Sequence, residues 1–180
     1  FLLQTAGANF VTVPVFSERV SPVSWAGPRR VHAPGVVFES LPRIDAVLVS
    51  HDHYDHCDAP SLRRLAAAFQ PLFIVPLGHR ELLASLGATR IVELDWWQTQ
   101  ALTADLTVTL TPARHWCRRT ALGANRRLWG GHYLHTGSRR LWFVGDSGYD
   151  RALFREIGQR CGAPDLALIP VGAYEPRWFM

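Results

Sequence analysis

Four side chains able to bind a divalent cation stand within six residues of one another: His51, His53, Asp55 and His56. Imidazole and carboxylate are the ligands a borderline cation such as zinc accepts. Two more candidates lie far along the chain, His115 after Thr111-Pro112-Ala113-Arg114 and Asp146 within Gly145-Asp146-Ser147-Gly148. Six ligands exceed the four of one tetrahedral zinc. They suit two ions roughly 3.5–4 Å apart that share a bridging carboxylate. Such a pair lowers the pKa of a shared water towards neutrality and neutralises charge growing on a phosphoryl or carbonyl oxygen. Hydrolysis then needs no separate base, and no Ser–His–Asp arrangement is evident. Asp55 and Asp146 are thus candidate catalytic carboxylates as well as candidate ligands.

Each of these residues has a plainer alternative. The 51–56 stretch could be a solvated polar loop. His115 alone could be an ordinary surface or core histidine. Asp146 could cap a following helix, a task Ser147 would also perform. The strand ends decide between the readings. The apolar run 46–49 has the length and branching of a buried strand, and the ligands begin at its C-terminal end. Open α/β sheets place their chemistry there. Residues 106–110 alternate Thr with apolar side chains and lead into His115, and the strand 141–144 leads into Gly145-Asp146. Three strand ends therefore deliver ligands.

The remaining elements follow the same logic. Residues 8–15 read as a β-branched strand, and 17–42 as a long Pro-, Gly- and Arg-rich connection. Pro60 opens a helix over 61–69. A strand at 72–75, a helix at 79–86 stopped by Gly87, and a strand at 91–94 come next. Strands are expected at 128–134 and 141–144, a helix at 149–161, and a last buried strand at 166–170. Alternating strands and helices indicate an α/β layer structure. Asp95-Trp96-Trp97 looks like an exposed aromatic pair of the kind found where one side is apolar and the other wet, but two packed core aromatics are the favoured reading. His132 and His135, three apart on one strand, point to opposite faces and are not a ligand pair. His32 and His79 read as surface residues.

At 180 residues, 48% hydrophobic and 19% charged, the chain has the size and composition of one globular domain. Its net charge of +4 comes with arginine pairs at 29–30, 63–64, 118–119, 126–127 and 139–140. A mild positive field favours anionic partners, and no nucleic-acid motif accompanies it. No apolar run approaches the roughly 20 residues of a spanning helix. The opening Phe1-Leu2-Leu3-Gln4 lacks the basic stretch of a secretory leader, although a leader ahead of Phe1 stays open. The odd cysteine count (Cys57, Cys117, Cys161) argues against a disulfide framework. Cys57 and Cys117 read as packing residues beside the ligands, in a reducing compartment.

The hexapeptide His51-Asp52-His53-Tyr54-Asp55-His56 matches the H-x-H-x-D-H signature of the metallo-β-lactamase superfamily. His115-Trp116-Cys117, Leu128-Trp129-Gly130-Gly131, the segment 143–149 around Gly145-Asp146-Ser147-Gly148, and the Tyr174-Glu175-Pro176-Arg177-Trp178-Phe179-Met180 ending resemble a narrower group. That group is the N-acylphosphatidylethanolamine-hydrolysing phospholipase D family and its bacterial relatives, and the resemblance runs from about residue 14 to 180. It implies a metallo-β-lactamase-like αββα sandwich with its C-terminal part missing, a single hydrolase domain over 1–180 incomplete at both ends. It implies a first zinc ion on His51, His53 and His115, a second on Asp55 and His56, and Asp146 bridging. The family supplies one more histidine beyond residue 180, so the second zinc is expected to be weakly held. Tyr174, Glu175 and Arg177 either line the substrate channel or lock the terminal loop.

The activity implied is phospholipase D-type cleavage of N-acylphosphatidylethanolamine to an N-acylethanolamine and phosphatidic acid. A phospholipid partner, peripheral membrane contact and a cytoplasmic or inner-membrane-peripheral location go with it. Two positions depart from the family pattern. Val13 stands where a buried Asp normally braces the metal loop, and Gly123 stands where an Asp precedes Asn125 by two residues. Hydrolysis of another ester or a lactone, and a non-catalytic module that only binds metal, are the competing readings.

Overall fold

The computed structural model describes residues 1–5, 7–120 and 122–172. The proposed roles of Tyr174, Glu175 and Arg177 lie outside the described residues. Two five-stranded sheets stack face to face. The first runs in chain order, β1 (Leu2–Thr5), β2 (Ala8–Thr12), β3 (Ala46–Leu48), β4 (Leu72–Pro76), β5 (Ile91–Leu94). Only the β1–β2 hairpin is antiparallel there; the other three pairings are parallel. The second comprises β6 (Thr99–Thr103), β7 (Leu106–Thr111), β8 (Gly131–Thr136), β9 (Arg139–Phe143) and β10 (Leu166–Leu168), in the order β10-β9-β8-β7-β6. It is antiparallel except for the parallel pair of β9 and β10.

The two-residue period of the strands sorts their side chains into three apolar layers. Phe10, Ala46, Leu48 and Ile74 face Leu106, Val108, Leu110 and Leu134 across the space between the sheets. Their sequence neighbours Val11, Val47, Val49, Phe73 and Val75 turn the other way, onto α1 (Ala59–Phe69) and Leu83 of α2 (Arg80–Ser85). Tyr133, Trp142 and Val144 turn outwards from the second sheet onto Ile157, Leu153 and Phe154 of α3 (Arg151–Cys161). The order helix, sheet, sheet, helix is the αββα sandwich. Each fully buried Leu or Phe contributes about 1.5–3 kcal/mol by leaving water.

Local chemistry sets the boundaries. α1 starts at Asp58, whose carboxylate accepts the Ser61 backbone N–H, with Pro60 in the first turn. Asp150 caps α3 by accepting from the N–H groups of Ala152 and Leu153, which starts that helix two residues later than expected. The expected strand 8–15 stops at Thr12, because Val13 adopts φ +38 and Pro14 follows. The expected strand 128–134 begins only at Gly131. A side chain at Gly130 would meet the Thr111 carbonyl, and the Gly130 N–H goes to Ser50 O at 3.0 Å instead of to a ladder. Strands β1 and β6 are additions; β6 is a half-exposed edge without a buried apolar face.

Two expectations in this region need correction, those for His79 and for the 17–42 connection. His79 is fully buried, not a surface residue: its Nδ1 lies 2.9 Å from Pro76 O and its ring fills the start of α2. Trp96 and Trp97 are half-buried packing residues, in line with the favoured reading. Trp96 Nε1 donates to Trp129 O at 2.6 Å, and the Arg160 guanidinium covers Trp97 at 4.4 Å. The 17–42 connection is not structureless: it carries a bridge between Arg19 and Arg29 and a short 3₁₀ turn at Phe38–Ser40. Arg30 holds its base by donating to Ser17 O and Val15 O at 2.9 and 2.6 Å. His132 and His135 do occupy opposite faces, one buried and one exposed.

Candidate metal centre

The C-terminal ends of β3, β7 and β9 open at one edge of the sandwich. After β3 the chain passes Val49 and Ser50 and turns through residues 51–57, a turn closed by the Cys57 N–H on His53 O at 2.7 Å. After β7 it bends into His115. After β9 it reverses at Gly145, whose φ of +68 suits only glycine comfortably and whose added Cβ would come 2.8 Å from Ser50 Cβ. That turn presents Asp146.

Three ring nitrogens converge. His51 Nε2 lies 2.9 Å from His53 Nδ1 and 3.1 Å from His115 Nε2, and His115 Nε2 lies 3.2 Å from His53 Nδ1. Ligands of a tetrahedral ion with bonds near 2.0–2.1 Å are spaced about 3.3 Å apart. A ring nitrogen cannot donate and accept at once, so the three contacts cannot all be hydrogen bonds, whereas a cation would take a lone pair from each ring. The residues present therefore fit a metal ion. A second group joins His51, His56 and Asp146. His56 Nε2 lies 3.2 Å from Asp146 Oδ1, while Asp146 Oδ2 lies 3.9 Å from His51 Nε2 and 3.7 Å from His115 Nε2. One carboxylate oxygen thus faces each group, as a bridging ligand requires. Asp55 stands at the rim: its side chain is 58% exposed and its Oδ2 is 3.5 Å from His56 Nε2. The structure brings five of the six expected residues into close mutual contact and leaves Asp55 touching only His56.

The electrostatics suit metal ligation, which needs neutral imidazole. Burial first, and then the neighbouring imidazoles, push the His51 pKa far down. Burial lowers His53, and lowers His115 to about 4 against the opposing pull of Asp146. Burial raises the Asp146 pKa, but the His56 hydrogen bond and the surrounding imidazoles outweigh it and hold the carboxyl below its usual range.

Sequence reasoning missed the groups that hold these ligands in place. Ser50 Oγ lies 2.9 Å from His51 Nδ1. Asp52, inside the hexapeptide, turns away from the ligands into the protein. Its carboxylate accepts from Cys117 Sγ and, at 2.9 Å, from Arg127 Nη1. Arg119 Nη1 donates to Asp52 O and Cys57 O at 2.9 and 2.8 Å, and its guanidinium covers the Tyr54 ring at 4.4 Å. Trp116 packs edge-on to His53 at 4.5 Å. Cys57 and Cys117 are buried, as expected of packing residues; burial pushes their thiols up to about 11 and 12. The one available signal was the doubling of arginines at 118–119 and 126–127, of which the second member of each pair turns inwards. Gly123 is buried, and a Cβ there would meet Thr120 Oγ1, so a carboxylate at this position needs the loop to shift.

Comparison with known proteins agrees with this fold. The family described as the beta-lactamase superfamily domain matches residues 9–180. The chain belongs to that family. Among curated proteins it is similar to N-acyl-phosphatidylethanolamine-hydrolyzing phospholipase D 1 of Caenorhabditis elegans, 38% identical across 99% of this chain and 53% of the relative. The mitochondrial enzyme of the same description from Saccharomyces cerevisiae is 36% identical across 96% of this chain and 38% of the relative. An uncharacterized protein of Mycobacterium tuberculosis is 43% identical over 98% of this chain and 47% of its own length. The chain spans about half the length of the curated relatives it matches. Among solved structures, a metallo hydrolase from Ignicoccus hospitalis superposes with TM-score 0.71 at 18% identity, covering 96% of this chain and 67% of that one. These neighbours share the metallo-β-lactamase-like fold.

Proposed function

We propose that this chain carries the metal centre of a zinc-dependent phosphodiester hydrolase, with N-acylphosphatidylethanolamine as the substrate class and an N-acylethanolamine and phosphatidic acid as products. The observation that carries the reading is the triangle of His51, His53 and His115 nitrogens with Asp146 between it and His56. On this reading His51, His53 and His115 hold one ion, Asp55 and His56 the other, and Asp146 bridges. Bound ions of this kind supply an activated water and screen charge on the phosphoryl oxygen. The chain's own residues do the rest. The depressed histidine pKa values keep the ligands neutral, Asp146 stays ionised between the two sets, and Trp116 shields one side of the His53 ring.

The substrate class is supported by the C. elegans and S. cerevisiae relatives. A lipid is further favoured by exposed apolar side chains next to the candidate ligands in the chain, Trp116 after His115 and Tyr149 after the Asp146 turn. A cleft of about 480 Å³, lined by Val23, Tyr54, Arg63 and Arg119, reaches the hexapeptide at Tyr54. Among the described residues no helix is long and apolar enough to cross a membrane. The test is zinc content together with hydrolysis of bis(p-nitrophenyl) phosphate and of N-acylphosphatidylethanolamine vesicles. Two zinc equivalents with turnover that His53→Ala abolishes support the proposal. A metal-loaded protein that opens a lactone and leaves both phosphodiesters intact overturns the substrate class, and a protein that binds no metal overturns the whole.

A further inference from the structure

One hydroxyl lies behind both ligand sets. Ser50 is fully buried at the point where the chain leaves the first sheet. Its Oγ is 2.9 Å from Nδ1 of His51 and 3.3 Å from Nδ1 of His56. The far nitrogens of these two rings face different partners: His51 Nε2 meets His53 and His115, and His56 Nε2 meets Asp146. A neutral imidazole carries one proton. With each Nε2 turned to its ligand set as a lone pair, that proton belongs on Nδ1. A serine oxygen has two acceptor lone pairs, so it can take both N–H groups.

Ser50 is itself fixed from two further sides. Its carbonyl accepts the Gly130 N–H at 3.0 Å. Its Cβ lies so close to the Gly145 backbone that a Cβ there would come within 2.8 Å, so it abuts the turn that presents Asp146. No other side chain among the described residues is within hydrogen-bond distance of a histidine from each set.

We infer that Ser50 is a positioning residue shared by both ion sites, its hydroxyl fixing the tautomer and ring orientation of His51 and His56 together. This rests on the two-ion reading above. Groups that orient metal-ligating histidines typically change metal affinity by about 10–100-fold when removed. A shared one transmits that loss to both ions, whereas a group serving a single ligand affects one.

The test uses wild type, Ser50→Ala and Ser50→Thr. Long-range ¹H–¹⁵N NMR correlations read the histidine tautomers of the ion-free protein, and competition with a chromophoric chelator reads Zn²⁺ affinity. The expected result is Nδ1–H on both His51 and His56 in wild type, lost from both in Ser50→Ala. Affinity for both ions then falls roughly 10–100-fold, circular dichroism and melting of the ion-free protein stay near wild type, and Ser50→Thr, which keeps the oxygen, recovers both. Unchanged tautomers in Ser50→Ala, or weakening of one ion alone, overturns the inference. A wild type that shows no second Zn²⁺ site even at saturating Zn²⁺ counts against the two-ion reading, while the tautomers of its ion-free form still decide for or against Ser50.

Discussion

Arg127 donates to the Asp52 carboxylate at 2.9 Å, and this pair ties the loop bearing His51 and His53 to the loop that follows His115. Asp52 is 1% exposed and Arg127 26% exposed, so the carboxylate depends on this partner. Removing one member of a buried pair leaves an uncompensated charge, at a cost of about 3–5 kcal/mol. Arg127→Met is expected to lose about 3 kcal/mol, the lower end, because water reaches the arginine side. Asp52→Asn in the same chain should recover part of the loss by removing the stranded charge. Urea denaturation of the four members of the cycle measures both; equal stability of Arg127→Met and wild type would rule the pair out as a brace.

The sequence made the convergence of the candidate residues legible because strand periodicity and strand ends leave strong local marks. The run 46–49, the Thr alternation of 106–110 and the run 141–144 each end at a residue that the folded chain brings to one edge. What stayed hidden depends on contacts between distant segments. Nothing in the type of Asp52 announces that Arg127, 75 residues on, holds its carboxylate inside the protein. His79 looks solvent-exposed until the first sheet and α2 close around it. β6 has no buried face to impose a pattern, and β1 is only a half-buried edge. The stop of β2 at Thr12 was invisible for a different reason: Val favours strands, and nothing in its type announces a positive φ.

Val13 is therefore a site of backbone strain. A β-branched residue at φ +38 is a genuine outlier, and the left-handed region costs an L-residue about 1–2 kcal/mol. Asn tolerates it by bonding its own backbone. Val13→Asn is expected to stabilise the protein by about 1 kcal/mol, raising the urea midpoint with no change in slope. Val13→Ile, which keeps the branching, should gain nothing. A lower midpoint for the Asn variant would show that packing of the half-buried valine outweighs the strain.

Stability should also depend on pH through histidines outside the ligand sets. Burial lowers His79 to about 4 and His132 to about 3, against 6.5 in the unfolded chain. Between those values and pH 6.5 the unfolded state binds more protons than the folded one, so stability rises with pH. The contribution is fully present above 6.5 and declines as pH falls towards 3–4, by about 1.4 kcal/mol for each unit of lowering per group. Both His132 ring nitrogens are buried without a hydrogen-bond partner. His132→Leu is expected to stabilise the ion-free protein at every pH and to flatten the acid slope. Urea midpoints from pH 4 to 7.5 check this, and a variant with the wild-type slope would contradict it.

Gly145 sets the approach of β9 to the ligands, and its replacement should separate folding from metal binding. At φ +68 an alanine costs about 1–2 kcal/mol for the left-handed backbone alone. The new methyl carbon would also stand 2.8 Å from Ser50 Cβ and 3.3 Å from Gly130 O, so the turn must move away from the first sheet. Asp146 follows directly, and its carboxylate leaves the position between His56 and the three-histidine group. Gly145→Ala is thus expected to melt several degrees lower and, where it still folds, to lose bridging. With Co²⁺ as a spectroscopic probe, the d–d bands of the variant should shift away from those of wild type. Gly137, also at positive φ but with only the Asp105 Cβ, at 4.0 Å, near its Cβ position, is the control. Gly137→Ala should show a similar backbone cost and leave the Co²⁺ spectrum unchanged, and identical Co²⁺ spectra for wild type and Gly145→Ala would mean that Asp146 does not reach the ions.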